Sequence, residues 1–234
     1  MDGVQREVKP LLLDFTASCR TGIESLRATV IVNRMRIVGL MVILTAFAAA
    51  QGTVVPRAAD GAMQVDGRID AQEWGGAVLV PMPQDGVVIV KQVDNRVWLA
   101  IVPETKHPTY VDLFLQTEDG VVHNLHASLQ WGERIVSGDK WTDTEPATRW
   151  GLPTDWQANR IEYAPGGRDT AEVTRASFKP YAAHEYGVSR EKFGGKTWRI
   201  RIEVRDFAGR EPDRIFPAGS DRHEPGGWWT LRLE

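Results

Sequence analysis

Trp141, Trp150 and Trp156 stand on one long stretch of the chain, interleaved with Asp143, Arg149 and Asp155. An indole face stacks on the C–H surface of a sugar ring while charged side chains beside it take the hydroxyls, so this mixture suits a carbohydrate platform. The same rings would also serve to pin a long loop to a scaffold. Asp66, Asp70 and Asp112 offer oxygen ligands of the kind calcium takes; turn capping is the competing use of the same carboxylates. His123 and His126 lie three apart in a strand-like segment, which turns them to opposite faces and prevents their chelating one ion from there. His184-Glu185 and His223-Glu224 each open like the zinc motif H-E-x-x-H, but the fifth positions are Val188 and Gly227. No G-x-S-x-G elbow and no P-loop occurs. Asp and Glu are scattered over turns, and no segment singles out an acid and a base for glycoside hydrolysis. No catalytic residue is assigned, and a non-catalytic protein is expected, one that could act beside a glycoside hydrolase.

The chain as a whole narrows the chemistry further. Its 234 residues are 42% hydrophobic and 25% charged, enough apolar material for a core. A net charge of -3 supplies no basic field for a phosphate backbone, so nucleic acid is excluded as the expected partner. Nine Trp is high for this length and calls for a Trp-rich core or a binding surface. Met35-Arg36 begins a basic segment, residues 37–48 are apolar, and Ala48-Ala49-Ala50 precede Gln51. That is the form of a secretory signal peptide cleaved after Ala50, and it predicts a secreted or periplasmic protein. The apolar run is shorter than the roughly 20 residues that cross a bilayer, so no stable membrane span is expected after cleavage. The only cysteine, Cys19, lies upstream of that cleavage point, which removes thiol nucleophiles and cysteine metal sites from the mature chain.

The expected organisation is an extension or mis-assigned start over residues 1–34, a signal peptide over 35–50, a linker over 51–62 and one domain over 63–234. Within that domain the apolar pattern has period two in segment after segment. Residues 87–93 and 96–102 flank an Asp94-Asn95 turn and read as a hairpin. Residues 110–117, 121–131 and 228–233 also read as strands. In 198–204 the alternation buries Trp198, Ile200, Ile202 and Val204 and turns Arg199, Arg201, Glu203 and Arg205 toward water. Helical signal is confined to a turn or two within 180–193 and another at 206–209. The fold class expected is all-β, an antiparallel, jelly-roll-like β-sandwich with long loops and one or two short helices. Residues 137–174 have little periodicity and form a long excursion, the kind of loop that carries function.

One local pattern reaches beyond fold class. Val65-Asp66-Gly67-Arg68-Ile69-Asp70-Ala71-Gln72-Glu73-Trp74 reads as an apolar anchor, an Asp-Gly turn, an acidic helical turn and a large Trp. It is followed in order by the hairpin through Val97-Trp98-Leu99-Ala100, the strand Val111-Asp112-Leu113-Phe114-Leu115 and the terminal Thr230-Leu231-Arg232-Leu233. Together these resemble the carbohydrate-binding module family 9 domains and their DOMON-like relatives, over residues 63–234. The resemblance implies a β-sandwich without catalytic machinery that binds sugars through aromatic faces, often beside structural calcium. The family's two clamping Trp residues fall by position near Lys106-His107 and Arg222-His223, so His107, Arg222 and His223 occupy the implied sugar site with basic side chains instead. The chain is also short of the strand the family normally has between Phe207 and Trp228.

Three functions are therefore expected, in order: an exported carbohydrate-binding protein taking a polysaccharide or glycan end, a DOMON-like haem or redox carrier, and a cell-envelope structural domain with a degenerate groove. The second would use Met63, Met82 or His107 as axial ligands. The cofactor expectation is none, with calcium at the three Asp residues or haem only under the second reading.

Overall fold

The computed structural model describes residues 52–58, 61–137, 140–143, 155–164, 178–179 and 181–234, all within the unit Ala48–Glu234. Strands dominate, as the period-two patterning predicts. One eight-stranded sheet has the order β1 (Thr53–Val55), β13 (Trp229–Leu233), β11 (Thr197–Asp206), β5 (Thr109–Gln116), β6 (Val122–Ala127), β7 (Trp131–Ser137) and β8 (Lys140–Asp143), with β12 (Arg214–Phe216) also paired to β11. A five-stranded sheet has the order β2 (Val78–Pro81), β3 (Val87–Val93), β4 (Arg96–Val102), β10 (His184–Ser189) and β9 (Trp156–Ala158). Every pairing is antiparallel except that of β1 with β13. Among the described residues the helices are two single turns, α1 (Ala71–Trp74) and α2 (Arg190–Phe193), with a 3-10 turn at Pro225–Gly227. None of the described helices is long and apolar enough to cross a membrane.

The sheets face each other across one core, as an all-β sandwich requires. Val88, Val90, Leu99 and Ile101 come from one sheet and Leu113, Leu115, Trp198 and Ile202 from the other. The expected hairpin is present as β3 and β4, with Asp94 at φ 52° in its turn. A second apolar cluster lies on the outer face of the five-stranded sheet, where Trp74, Ile89, Val93, Trp98 and Ala100 pack beneath the segment that carries the opening motif. Gly187 on β10 permits this layer, because a Cβ there would meet the Trp98 ring at 2.6 Å.

Four expectations need correction. Residues 53–55, read as linker, form β1 and bury Val55 completely. Most of the weak helical signal in 180–193 is the central strand β10, and only its end turns into α2. The short strand β12 occupies the interval after Phe207 that was read as lacking one. Arg201 and Glu203 do point away from the core, yet they are 3% and 2% exposed, because the loop 217–228 lies over them.

Candidate functional site

The opening motif is a lock around one buried carboxylate. Glu185 stands on β10 with no exposure, on the face opposite the core residues Tyr186 and Val188. Its Oε2 accepts the backbone N–H of Asp66 at 2.9 Å and of Gly67 at 2.6 Å, and its Oε1 accepts Trp74 Nε1 at 3.2 Å. The backbone follows suit, since Ala182 N–H donates to the Gly67 carbonyl at 2.8 Å. Gly67 is required twice: its φ is +77°, and a Cβ would sit 2.2 Å from the Tyr181 ring. Asp70 caps α1 through Gln72 N–H at 2.7 Å, and Asp66 closes its own turn through Arg68 N–H at 2.9 Å. Burial pushes the Glu185 carboxyl up to about 7; the Gly67 and Trp74 N–H groups pull it down, and the Glu73 and Asp66 carboxylates push it further up.

This lock forms one wall of a cleft of about 1380 Å³. Val65 to Arg68 line that wall; Gln157, Asn159, Arg160 and Glu162, leaving edge strand β9, line the other. Trp131 and Tyr181 supply aromatic surface between them. Arg160 lies over the Trp131 ring at 5.1 Å, and Trp131 Nε1 is a buried donor without an acceptor among the described residues. Asn159 is fixed by two bonds, accepting Glu185 N–H at 2.6 Å and donating to the Ala183 carbonyl at 3.0 Å. Lys179, paired with Glu162, and Tyr181 close one end of the cleft and belong equally to a smaller cavity beyond it.

That end cavity, about 310 Å³, is enclosed by the turn that joins β4 to β5 and by residues 178–179 and 181–184. His107 lies on its rim, 3.5 Å from Glu211. His184 forms its inner wall, bonded through Nε2 to Thr109 Oγ1 at 2.8 Å. Burial pushes the His184 pKa down to about 4, so the ring is neutral.

A third concavity, of about 270 Å³, lies on the outer face of the eight-stranded sheet. Register builds it: Glu203, Asp112 and His126 are opposite one another across β11, β5 and β6, as are Arg201, Phe114 and Asn124 in the next row. Glu203 accepts from Arg201, Arg205 and Arg222 together. Burial opposes its ionisation, but the Arg222, Arg201 and Arg205 hydrogen bonds outweigh it and hold the carboxyl at about 2. Asp112 Oδ1 lies 2.8 Å from His126 Nδ1, and His126 Nε2 lies 2.8 Å from Ser128 Oγ.

The residues singled out by sequence are distributed over these places. Trp156 is 1% exposed and stacks on Tyr186 in the core, its Nε1 donating to Glu133 at 3.1 Å; it is a structural ring, not a sugar platform. Asp155 precedes β9, 3.9 Å from Lys192 Nζ. Trp141 and Asp143 lie in β8, opposite Val136 and Arg134; Arg149 and Trp150 lie outside the described residues. Arg222 belongs to the Glu203 network and His223 is exposed beside it, its N–H on Asp221, so neither joins His107 in one cavity. Asp66 and Asp70 lie over the outer face of one sheet and Asp112 on the outer face of the other, so the calcium trio is not one site; no described cluster of three or more His, Asp or Glu could hold a metal. Of the three axial ligands the haem reading offered, Met82 is in the core, Met63 in the cleft and His107 at the end cavity. His123 and His126 do face opposite sides, as their spacing predicts; His123 pairs with Glu133 at 2.9 Å. Sequence reasoning missed Trp131, Tyr181 and Glu185; the alternation in His184-Glu185-Tyr186-Gly187-Val188 was the available sign of a strand with Glu185 off the core face. Comparison with family models, curated proteins and solved structures finds no match to this chain.

Proposed function

We propose that the chain is an exported, non-catalytic carbohydrate-binding protein of the family 9 module type, and that its ligand lies in the cleft between the opening motif and β9. The observation that carries this reading is the composition of the cleft. Two aromatic rings, Trp131 and Tyr181, stand among Gln157, Asn159, Arg160 and Arg68, which offer both donors and acceptors to neighbouring hydroxyls. Rigid backing supports it, since Asn159 and Tyr181 rest on the Glu185 lock. The test is calorimetry of the purified protein against a panel of soluble glycans and retention on insoluble polysaccharides. Gln157→Ala and Arg160→Ala, both clear of the core, should each weaken binding about tenfold, roughly the 1.4 kcal/mol of one lost polar contact. A wild type that no member of the panel binds refutes the reading.

A second reading rests on the series Asp112, His126 and Ser128. A carboxylate on Nδ1 and a hydroxyl on Nε2 is the order of an acyl-transfer relay. As an ester hydrolase, the chain would attack through Ser128 Oγ while His126 takes the proton. Labelling by a fluorophosphonate probe, lost in Ser128→Ala, would favour it; an unlabelled Ser128 removes it.

A further inference from the structure

The end cavity carries one lysine, Lys106, without an ion pair among the described residues, and holds an unspent donor. Two lysines and two histidines line it, and no carboxylate does. Lys106 makes no ion pair among the described residues, whereas Lys179 is held by Glu162 and His107 by Glu211. The tautomer of His184 follows from its partner. Thr109 is 8% exposed, and its hydroxyl has one proton to place; the only acceptor it meets among the described residues is His184 Nε2. A neutral imidazole that accepts at Nε2 carries its own proton on Nδ1. Nδ1–H has no acceptor among the described residues, although the residue is 7% exposed. That nitrogen is not among the buried unpartnered atoms, so the cavity side of the ring is open to an acceptor on a ligand. Apolar surface from Pro108, Ile161 and Phe178 surrounds this donor.

We infer that the end cavity receives the carboxylate of an acidic sugar at the end of the bound glycan. One carboxylate oxygen accepts the His184 Nδ1–H, Lys106 neutralises the charge, and the ring lies against the apolar wall. The inference rests on the carbohydrate reading of the cleft. It adds the class of sugar, because the cavity abuts the cleft at Lys179, Tyr181 and Ala182, which line both.

The experiment compares oligogalacturonates and glucuronate-terminated oligosaccharides with the same molecules after reduction of the carboxyl to a primary alcohol, titrated into the full chain by calorimetry. The acidic forms should bind at least tenfold more tightly. Lys106→Met and Thr109→Val should each remove most of that margin, with melting temperatures recorded to exclude misfolding. In nitrogen-detected NMR the His184 ring should shift on adding the acidic forms only. Reduced forms that bind as well as the acidic ones, or acidic binding indifferent to both substitutions, overturn this inference and leave the carbohydrate reading in place. Binding of neither form overturns both. Displacement of the uronates by equimolar inorganic sulfate would show a general anion site and would also overturn it.

Discussion

Replacing Glu185 by Gln should uncover a pH dependence of stability that the native protein hides. Glu185 has its carboxyl raised from 4.5 to about 7 by burial. The folded chain therefore holds that proton more tightly than the unfolded chain does. Its stabilising effect is complete below pH 4.5 and is lost as pH rises toward 7. At 1.36 kcal/mol per pH unit the loss over that interval is about 3 kcal/mol. The preceding residue works in the opposite sense. His184 has its pKa lowered from 6.5 to about 4 by burial, so stability falls as pH drops from 6.5 to 4, again by about 3 kcal/mol. Over their common interval, pH 4.5 to 6.5, the two slopes cancel. Urea unfolding followed by tryptophan fluorescence, at steps across pH 4 to 7, measures this directly. The slope is what is read, independent of the baseline of Glu185→Gln: its stability should rise by about 3 kcal/mol between pH 4 and 6.5, where the wild type stays nearly level. Parallel profiles for the two proteins would refute the reasoning, since they would mean that Glu185 titrates at its unfolded value.

Other substitutions test the remaining assignments. Trp156→Ala should cost about 3–5 kcal/mol in chemical denaturation, because the ring is 1% exposed; a sugar platform on the surface would lose almost nothing. Gly67→Ala combines a left-handed φ with a clash against Tyr181. It should destabilise by at least 1–2 kcal/mol, roughly the left-handed penalty alone, and, under the proposed carbohydrate reading, should weaken binding by displacing that ring. Glu203→Gln removes the carboxylate shared by Arg201, Arg205 and Arg222, and should cost about 3–5 kcal/mol at neutral pH. It should also remove the part of acid unfolding that belongs to Glu203, whose stabilisation is present above pH 4.5 and lost as pH falls toward 2.

The sequence was most legible where a physical rule acts over a few residues. Alternation located β3, β4, β5 and the core face of β11, because burial on one side of a strand imposes period two wherever it occurs. The outer face of β11 was not legible in the same way. Arg201 and Glu203 look solvated in a local window, and what buries them is a loop contributed by Ser220 and Arg222, 19 residues away. The same distance problem hid the site. The turn at Asp66 was read correctly as a turn, but the carboxylate that it encloses lies 119 residues downstream. Trp156 shows the converse error, since aromatic residues among charges read as a surface until the stacking on Tyr186 places the ring inside. Composition cannot separate a ring that binds from a ring that fills.

The parallel edge pairing of β1 with β13 has a consequence for the timing of folding. Thr53 meets Trp229 through a hydrogen bond spanning 176 residues, and the backbone carbonyl of Glu234 accepts from the Gln92 side chain. Strand β1 therefore has no sheet partner among the described strands until β13 has been synthesised. This edge closes late, in a step dominated by distant contacts and correspondingly slow.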